Sequence, residues 1–256
     1  MGHFNLAAVS EEDQNRFVFD PTVGEISRGG RTSTSCLPDG LPSNVFNELF
    51  SCLSAAELAY LTSRMVKRTY PKNALIIYEE DLTNALYIIQ TGKVKITKMH
   101  ENGREVIIAL LSHGDFFGEM SLIDDEPRST NAVTKEKAEL LILKREDFLP
   151  ILSQNSRLAL NLMRVFSKRL REATGKIASL ALMDVYGRIV QLFNELAHHK
   201  NGKHVIEDPL TQQDIANSIG ASREMVCRIL KDLVTGGYIQ IDHRVVTIKK
   251  ALPVAW

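Results

Sequence analysis

Between about residue 74 and residue 144 the chain is written in short β-branched runs, and no run is long enough to hold a helix. ALIIY, ALYIIQ, KVKITKM, EVIIALL, NAVT and AELLILK are separated by the turn-rich pieces EEDLTN, TGK, HENGR and SHGD. The Asn102–Gly103 pair between two alternating runs is a strong hairpin signal, because both residues tolerate the positive φ of the turn. Six or more strands at this spacing predict an antiparallel barrel or sandwich of about 70 residues.

Helical periodicity flanks this block. LPSNVFNELFSCLSAAELAYLTSRM predicts two helices, capped by Ser43 and Ser54, the second with Glu57 placed for a capping box. Residues 1–40 are rich in Gly, Ser, Thr and Arg, end in a Pro38–Asp39–Gly40 turn signal, and read as a flexible lead-in. After Lys144 a short helix, REDFLPILSQ, precedes a long one from about Arg157 to Met183. Leu158, Leu162, Val165, Ile177 and Leu180 recur near one stripe, with Phe166 and Leu170 beside it. That pattern suits a coiled-coil-like dimer seam, or a helix packed on its own domain. Arg169 and Ala173 interrupt the stripe, and Gly175 costs about 1 kcal/mol relative to Ala.

Composition narrows the function classes. The 256 residues carry 31 basic and 31 acidic groups. Residues 1–50 are net −4 and residues 151–256 net +6, so polyanion contact is expected at the C-terminal end. There is no run of 18 apolar residues and no basic-then-apolar leader, so a cytoplasmic protein without a membrane span is expected. Cys36, Cys52 and Cys227 are widely separated, with no CxxC pair, which argues against structural zinc, iron–sulfur ligation and a disulfide framework. His198, His199 and His204, read as a helix end and loop, lack the further ligand that a metal site needs. No metal is expected. No nucleophile motif, P-loop or dinucleotide fingerprint occurs, so the chain is not expected to be an enzyme.

The last 70 residues predict helix, helix, turn, helix, hairpin. Thr211 caps QQDIANSI with Asp214 three residues on, and Gly220 closes that helix in the left-handed conformation. Ser222 caps REMVCRILKDLV, with Met225/Val226, Ile229, Leu230 and Leu233 facing inward. Two short helices around a glycine turn form a helix-turn-helix, and YIQIDHRVVTIKK supplies a wing. Arg223, Glu224 and Arg228 project from one side at the start of the second helix. Arg can bond two acceptors of guanine and Glu can accept from cytosine, which fits a recognition helix in the major groove of double-stranded DNA. The plainer reading is a charged, solvated face in a protein-interaction module.

A second constellation is HGDFFGEMSLIDDEPRSTNAV, between two strand runs. Gly114 and Gly118 allow tight turns, and GEMSLI can form one helical turn with N–H groups available to an anion. Arg128 offers a fork to a phosphate, Ser129 a hydroxyl, and Glu119 an acceptor for a sugar hydroxyl. The same carboxylate and guanidinium can equally form a structural ion pair.

These motifs together resemble the cyclic-AMP receptor protein/FNR superfamily of bacterial transcription regulators. FGEMSLIDDEPRST is similar to its phosphate-binding cassette, Asp184–Arg188 (DVYGR) to its hinge, and IGASREMVCRILKDL to its recognition helix. The resemblance covers about residues 45–250. It implies an α+β chain: a flexible extension at 1–40, a cyclic-nucleotide-binding β-roll at 41–153, a dimerisation helix and hinge at 154–184, and a winged helix-turn-helix at 185–256. It implies that Arg128 and Ser129 bind a cyclic phosphate, that Gly118 and Glu119 bind its ribose with Met120 beside them, and that Thr174 contacts the base. Arg223 and Arg228 then read guanines and Glu224 a cytosine, in half-sites similar to TGTGA, while Thr211, Gln213 and Ser222 touch phosphates. The implied partners are a second copy of the chain, DNA and RNA polymerase.

Two departures bear on the ligand. Ala173 stands where the family's cyclic-AMP binders carry a hydroxyl, and the usual Glu-Gly-Asp turn is here Glu79–Glu80–Asp81 without the glycine. Cyclic AMP is the first expectation for the effector. Cyclic di-GMP is the alternative, with Arg164, Lys168, Arg169 and Arg171 available to a doubly anionic ligand. A constitutive DNA-binding regulator with a ligand-free sensor is a further alternative. The missing N-terminal cysteine cluster disfavours an iron–sulfur cofactor, and His113, in a turn without a nearby Cys, disfavours haem.

Overall fold

A computed structural model describes residues 49–200 and 202–253, all within one compact unit. The helix expected after Ser43, the lead-in 1–40 and Cys36 lie outside the described residues. Ser54 caps α1 (Ala55–Arg64) with the expected capping box: its side chain accepts from Glu57 N while Glu57 takes the Ser54 N–H at 2.7 Å.

Eight strands follow: β1 (Val66–Tyr70), β2 (Leu75–Ile77), β3 (Ala85–Thr91), β4 (Val94–Met99), β5 (Glu105–Leu111), β6 (Phe116–Phe117), β7 (Asn131–Thr134) and β8 (Ala138–Lys144). They form two antiparallel four-stranded sheets, β1-β8-β3-β6 and β2-β7-β4-β5. The expected hairpin forms between β4 and β5, with Gly103 at φ +80°. Ile77, Ile89, Val94, Phe117, Ala132 and Leu140 bring both sheets into one core. On the opposite face of the first sheet, Leu86, Ile88, Leu141 and Leu143 pack with Phe148, Leu158 and Leu162 from the helices. That sheet is buried on both sides, so ALYIIQ and AELLILK read as unbroken apolar runs and not as alternations.

The sensor region is closed by α2 (Met120–Asp124), α3 (Arg145–Gln154) and α4 (Ser156–Leu182). At 27 residues α4 is about 40 Å long. Its stripe divides between two faces. Leu158 and Leu162 are buried in the chain's own core, with Val165 and Phe166 packed on it, whereas Leu160, Met163, Leu170 and Ile177 are 44–69% exposed. The expected seam through Leu158, Leu162 and Val165 is therefore corrected: those residues hold α4 to its own barrel.

The C-terminal region comprises α5 (Val185–Leu196), β9 (His198–Lys200), β10 (Lys203–Ile206), α6 (Gln212–Ile219), α7 (Arg223–Thr235), β11 (Ile239–Asp242) and β12 (Val245–Ile248). The three histidines thus lie on a β9–β10 hairpin that extends the wing in the order β11-β12-β10-β9. Met183 and Asp184 alone break the helix between α4 and α5, and Asp184 caps α5 by accepting from Gly187 N at 2.7 Å. Gly187, expected in the hinge, is already helical. Ile189, Phe193, Ile215, Val226, Leu230 and Leu233 form the core of this region.

Candidate functional site

The cassette is built where β6 meets the N-terminus of α2. Phe116 and Phe117 are both buried, and Phe117 stacks on Tyr87 at 5.1 Å. Gly118 follows with φ +83°, a conformation that an L side chain adopts only with strain. A Cβ there would lie 2.7 Å from Arg128 Nη1 and 2.9 Å from the Ala85 carbonyl oxygen. The glycine is thus required by both its backbone angle and its close neighbours.

Arg128 is 4% exposed. It donates from Nη1 to Gly118 O at 2.6 Å, from Nη2 to Ala85 O at 2.8 Å and from Nε to Thr83 Oγ1 at 3.2 Å. Burial lowers its pKa from the ordinary guanidinium value, with Tyr87, Glu119 and Asp81 opposing the shift. Three of its five N–H groups are used inside the protein, which leaves two for a ligand. Main-chain bonds between Glu80 N and Arg128 O, and between Arg128 N and Asp81 O, tie this arginine to the turn after β2. Ser129 is exposed beside it, with only a 3.9 Å contact from its hydroxyl to Met120 sulfur.

Glu119 is also 4% exposed. One carboxylate oxygen receives Arg169 Nη1 at 2.6 Å, and the other is buried with no hydrogen-bond partner among the described residues. Arg169 further donates to Phe116 O at 2.6 Å and lies over the Phe116 ring. The hydroxyl of Ser121, one residue into α2, is likewise buried without a partner. A pair of orphaned buried acceptors at the rim of a cassette calls for a donor such as a hydroxyl group. Arg128 and Glu119 are not the structural ion pair that their spacing allowed; each has its own partners. Thr174 stands exposed on α4 and returns its hydroxyl to Leu170 O at 2.9 Å.

The second constellation lies on α6 and α7. Thr211 and Asp214 form the expected capping box, Gly220 closes α6 at φ +64°, and Ser222 caps α7 by accepting from Met225 N. Arg223, Glu224 and Arg228 are exposed together, and Cys227 shares their face. Val226, Leu230 and Leu233 point inward, but Met225 is 39% exposed and does not belong to the buried stripe. Gln213 is exposed and bonds Asn217, whose amide reaches Glu105 of β5 at 2.9 Å; Glu105 also pairs with Lys95 at 3.0 Å. The helix α6 thus rests on the β4–β5 hairpin of the same chain.

Comparison with known proteins matches both constellations separately. Residues 67–155 match the family model for the cyclic nucleotide-binding domain, and residues 187–251 that for the Crp-like helix-turn-helix domain. The cyclic AMP receptor protein of Thermus thermophilus is 35% identical over 206 residues, 79% of this chain and 93% of that one. The chain belongs to the CRP/FNR family of transcription regulators. The CRP-like cAMP-activated global transcriptional regulator of Mycobacterium tuberculosis is 30% identical over 204 residues, covering 78% of this chain and 91% of the relative. Among solved structures, the c-di-GMP-responsive global regulator CLP of Xanthomonas campestris superposes with a TM-score of 0.67 at 26% identity, covering 77% of this chain and all of that one.

CRP/FNR proteins are regulators and not enzymes. Among the described residues, no helix is long and apolar enough to cross a membrane. Two roles in the cassette escaped the reading of the sequence. Arg169, read as an interruption of the apolar stripe and as a cation available to a doubly anionic ligand, was not matched to Glu119, although it lies two turns beyond Leu162 and one beyond Phe166 on the barrel-facing side. Ser121 gave no signal, since a serine in a short helical turn is ordinarily solvated.

Proposed function

We propose that this CRP/FNR regulator binds a cyclic nucleotide in the cassette and, as a homodimer, reads a pseudo-palindromic DNA site under control of that ligand. The observation that carries the reading is Glu119: a buried carboxylate with one oxygen on Arg169 and the other waiting for a donor. A ribose hydroxyl supplies that donor, while Ser129 and the two unused N–H groups of Arg128 face the cyclic phosphate. Cyclic AMP carries these groups, and so does cyclic di-GMP. The T. thermophilus and M. tuberculosis relatives favour the first and the X. campestris likeness the second.

On the DNA side, Arg223 and Arg228 read guanines and Glu224 a cytosine, with Thr211, Gln213 and Ser222 on phosphates. Two such heads about 34 Å apart, one turn of DNA, engage the two half-sites. The regulator works in the cytoplasm and contacts RNA polymerase. Ligand acts by preferring the DNA-competent arrangement, so DNA should tighten ligand binding by the same factor.

The test is fluorescence anisotropy on a TGTGA-type site and on single-base variants, with and without ligand. Arg223→Ala is expected to cost about 1–3 kcal/mol on the matched site and to relax one base position. An equal loss on every sequence makes Arg223 a phosphate contact and refutes its reading role.

A further inference from the structure

Among the exposed residues of α4, Leu160, Met163, Ser167, Leu170, Thr174, Ile177 and Ala181 follow a 3-4 spacing and carry no charge. With Leu160, Ser167, Thr174 and Ala181 as a positions, Met163, Leu170 and Ile177 fall at d. This is the seam of a two-stranded coiled coil, and both reading heads at one end require a parallel pair. Arg164 and Arg171 then occupy e positions, facing the g positions Phe166, Ala173 and Leu180 of the other helix. None of these three residues is acidic. The usual e–g salt bridge has no partner here.

The barrel lies on the other flank of the same helix. Leu162, Arg169 and Lys176 are c positions, and they reach the core, Glu119 and the Ile108 carbonyl oxygen respectively. In a parallel two-fold pair, the e flank of one helix adjoins the g and c flank of its partner at the same height. The basic row of one protomer therefore comes to the mouth of the other protomer's cassette, level with Arg169 and Glu119.

Arg164, Lys168 and Arg171 are all exposed along this flank of α4, with one carboxylate, Glu172, among them. Among the described residues, Arg164 bonds only Asn161 of its own helix, at 2.9 Å. Inside the cassette, by contrast, Arg169 is paired with Glu119, and Arg128 keeps two N–H groups, enough for one phosphate. A ligand with a single phosphate meets the cassette and leaves the basic row unanswered.

We infer that the effector is a cyclic dinucleotide, with one half in the cassette of one protomer and its second phosphate on Arg164 and Arg171 of the other. This rests on the proposed dimer and on the cassette reading, and it names the ligand class for that site. Ser167 and Thr174, the polar layers of the seam, flank the crossing point and tolerate a polar ligand there.

The experiment is calorimetric titration of the full-length protein with cyclic di-GMP and cyclic AMP, its dimer verified by sedimentation. Three forms are compared: the unchanged chain, Arg164→Gln/Arg171→Gln, which keeps side-chain length and the apolar seam, and Glu119→Gln. Cyclic di-GMP is expected to bind the unchanged dimer at least tenfold tighter than cyclic AMP. The double variant should cut that ratio by tenfold or more while remaining a dimer, and Glu119→Gln should weaken whichever ligand binds. An undiminished ratio in the double variant, or preference for cyclic AMP in the unchanged chain, overturns the inference and leaves the cassette reading standing. A monomer, the absence of binding by both nucleotides, or indifference to Glu119→Gln defeats the underlying reading, and the inference with it.

Discussion

Replacing Arg128 by Met separates what this side chain does for the fold from what it does for a ligand. Met fills much of the same volume but removes three hydrogen bonds, to Gly118 O, Ala85 O and Thr83 Oγ1. Two partly buried backbone carbonyls each lose a donor, at about 1–3 kcal/mol apiece. The Tyr87 ring, 6.0 Å from the guanidinium carbon, contributes about 0.5 kcal/mol at the limit of a cation–π contact. Against this, the variant no longer buries a charge, the desolvation that lowers the Arg128 pKa. The balance is a loss of about 2–3 kcal/mol, between the cost of unmade hydrogen bonds and the relief of desolvation. With a urea slope of about 2 kcal/mol/M, the unfolding midpoint should fall by roughly 1–1.5 M. Arg128→Lys keeps the charge but not the fork, and should lose about half as much. Urea unfolding followed by circular dichroism decides the matter. A midpoint within about 0.2 M of the unchanged protein, on the same slope, shows that the guanidinium does not hold the cassette together. For the same reason, loss of ligand binding in an Arg128 variant cannot by itself assign the site, and Glu119 is the better probe.

Two further outcomes follow from backbone conformation. Gly118→Ala forces a Cβ toward Arg128 Nη1 and Ala85 O at φ +83°, so at least the left-handed penalty of about 1–2 kcal/mol should appear, with added loss from displacing Arg128. A stability equal to the unchanged protein would falsify the steric argument. Glu80 is exposed and sits at φ +70°, in the turn where the family carries glycine. Glu80→Gly should therefore stabilise by up to about 1 kcal/mol, the left-handed penalty less the entropy that glycine gains on unfolding. A lower midpoint in the same urea experiment shows that the Glu80 side chain contributes more than its backbone angle costs.

Much of this molecule is legible in the sequence because its local signals agree with its long-range packing. The capping boxes at Ser54 and Thr211, the hairpin at Gly103, the left-handed Gly220 and the strand runs of β2–β5, β7 and β8 all form as their residues predict. The missed elements are those whose sequence carries no periodicity. β1 reads VKRTY with four exposed residues at the edge of its sheet, and β9 reads HHK with all three exposed. Such strands are specified by the neighbour that pairs with them and not by a buried face of their own. The helix α4 failed differently: one apolar stripe was expected where there are two, the first half of one buried by the barrel. Only the face of the helix on which each stands separates Leu158 and Leu162 from Leu160 and Met163. The cassette residues could be named from their motif, but not the direction in which Arg128 points, because a buried arginine spends its donors on carbonyls that no pattern identifies.

The same helix explains how a cassette and a reading head can share one chain. α4 is fixed to the barrel core by Leu158 and Leu162, touches Glu119 through Arg169 and the β5 backbone through Lys176, and ends with Leu180 against the turn between α6 and α7. From Arg169 to Leu180 the rise is about 16 Å, and no proline interrupts it. A donor that satisfies the free oxygen of Glu119 acts on the carboxylate whose other oxygen holds Arg169, and so on a rod whose far end rests on the helix-turn-helix. The second route, from β5 through Glu105 to Asn217, starts on the hairpin that Lys176 also contacts. Both connections are contiguous hydrogen-bonded or packed side chains, the kind of physical contact through which two distant sites can be coupled.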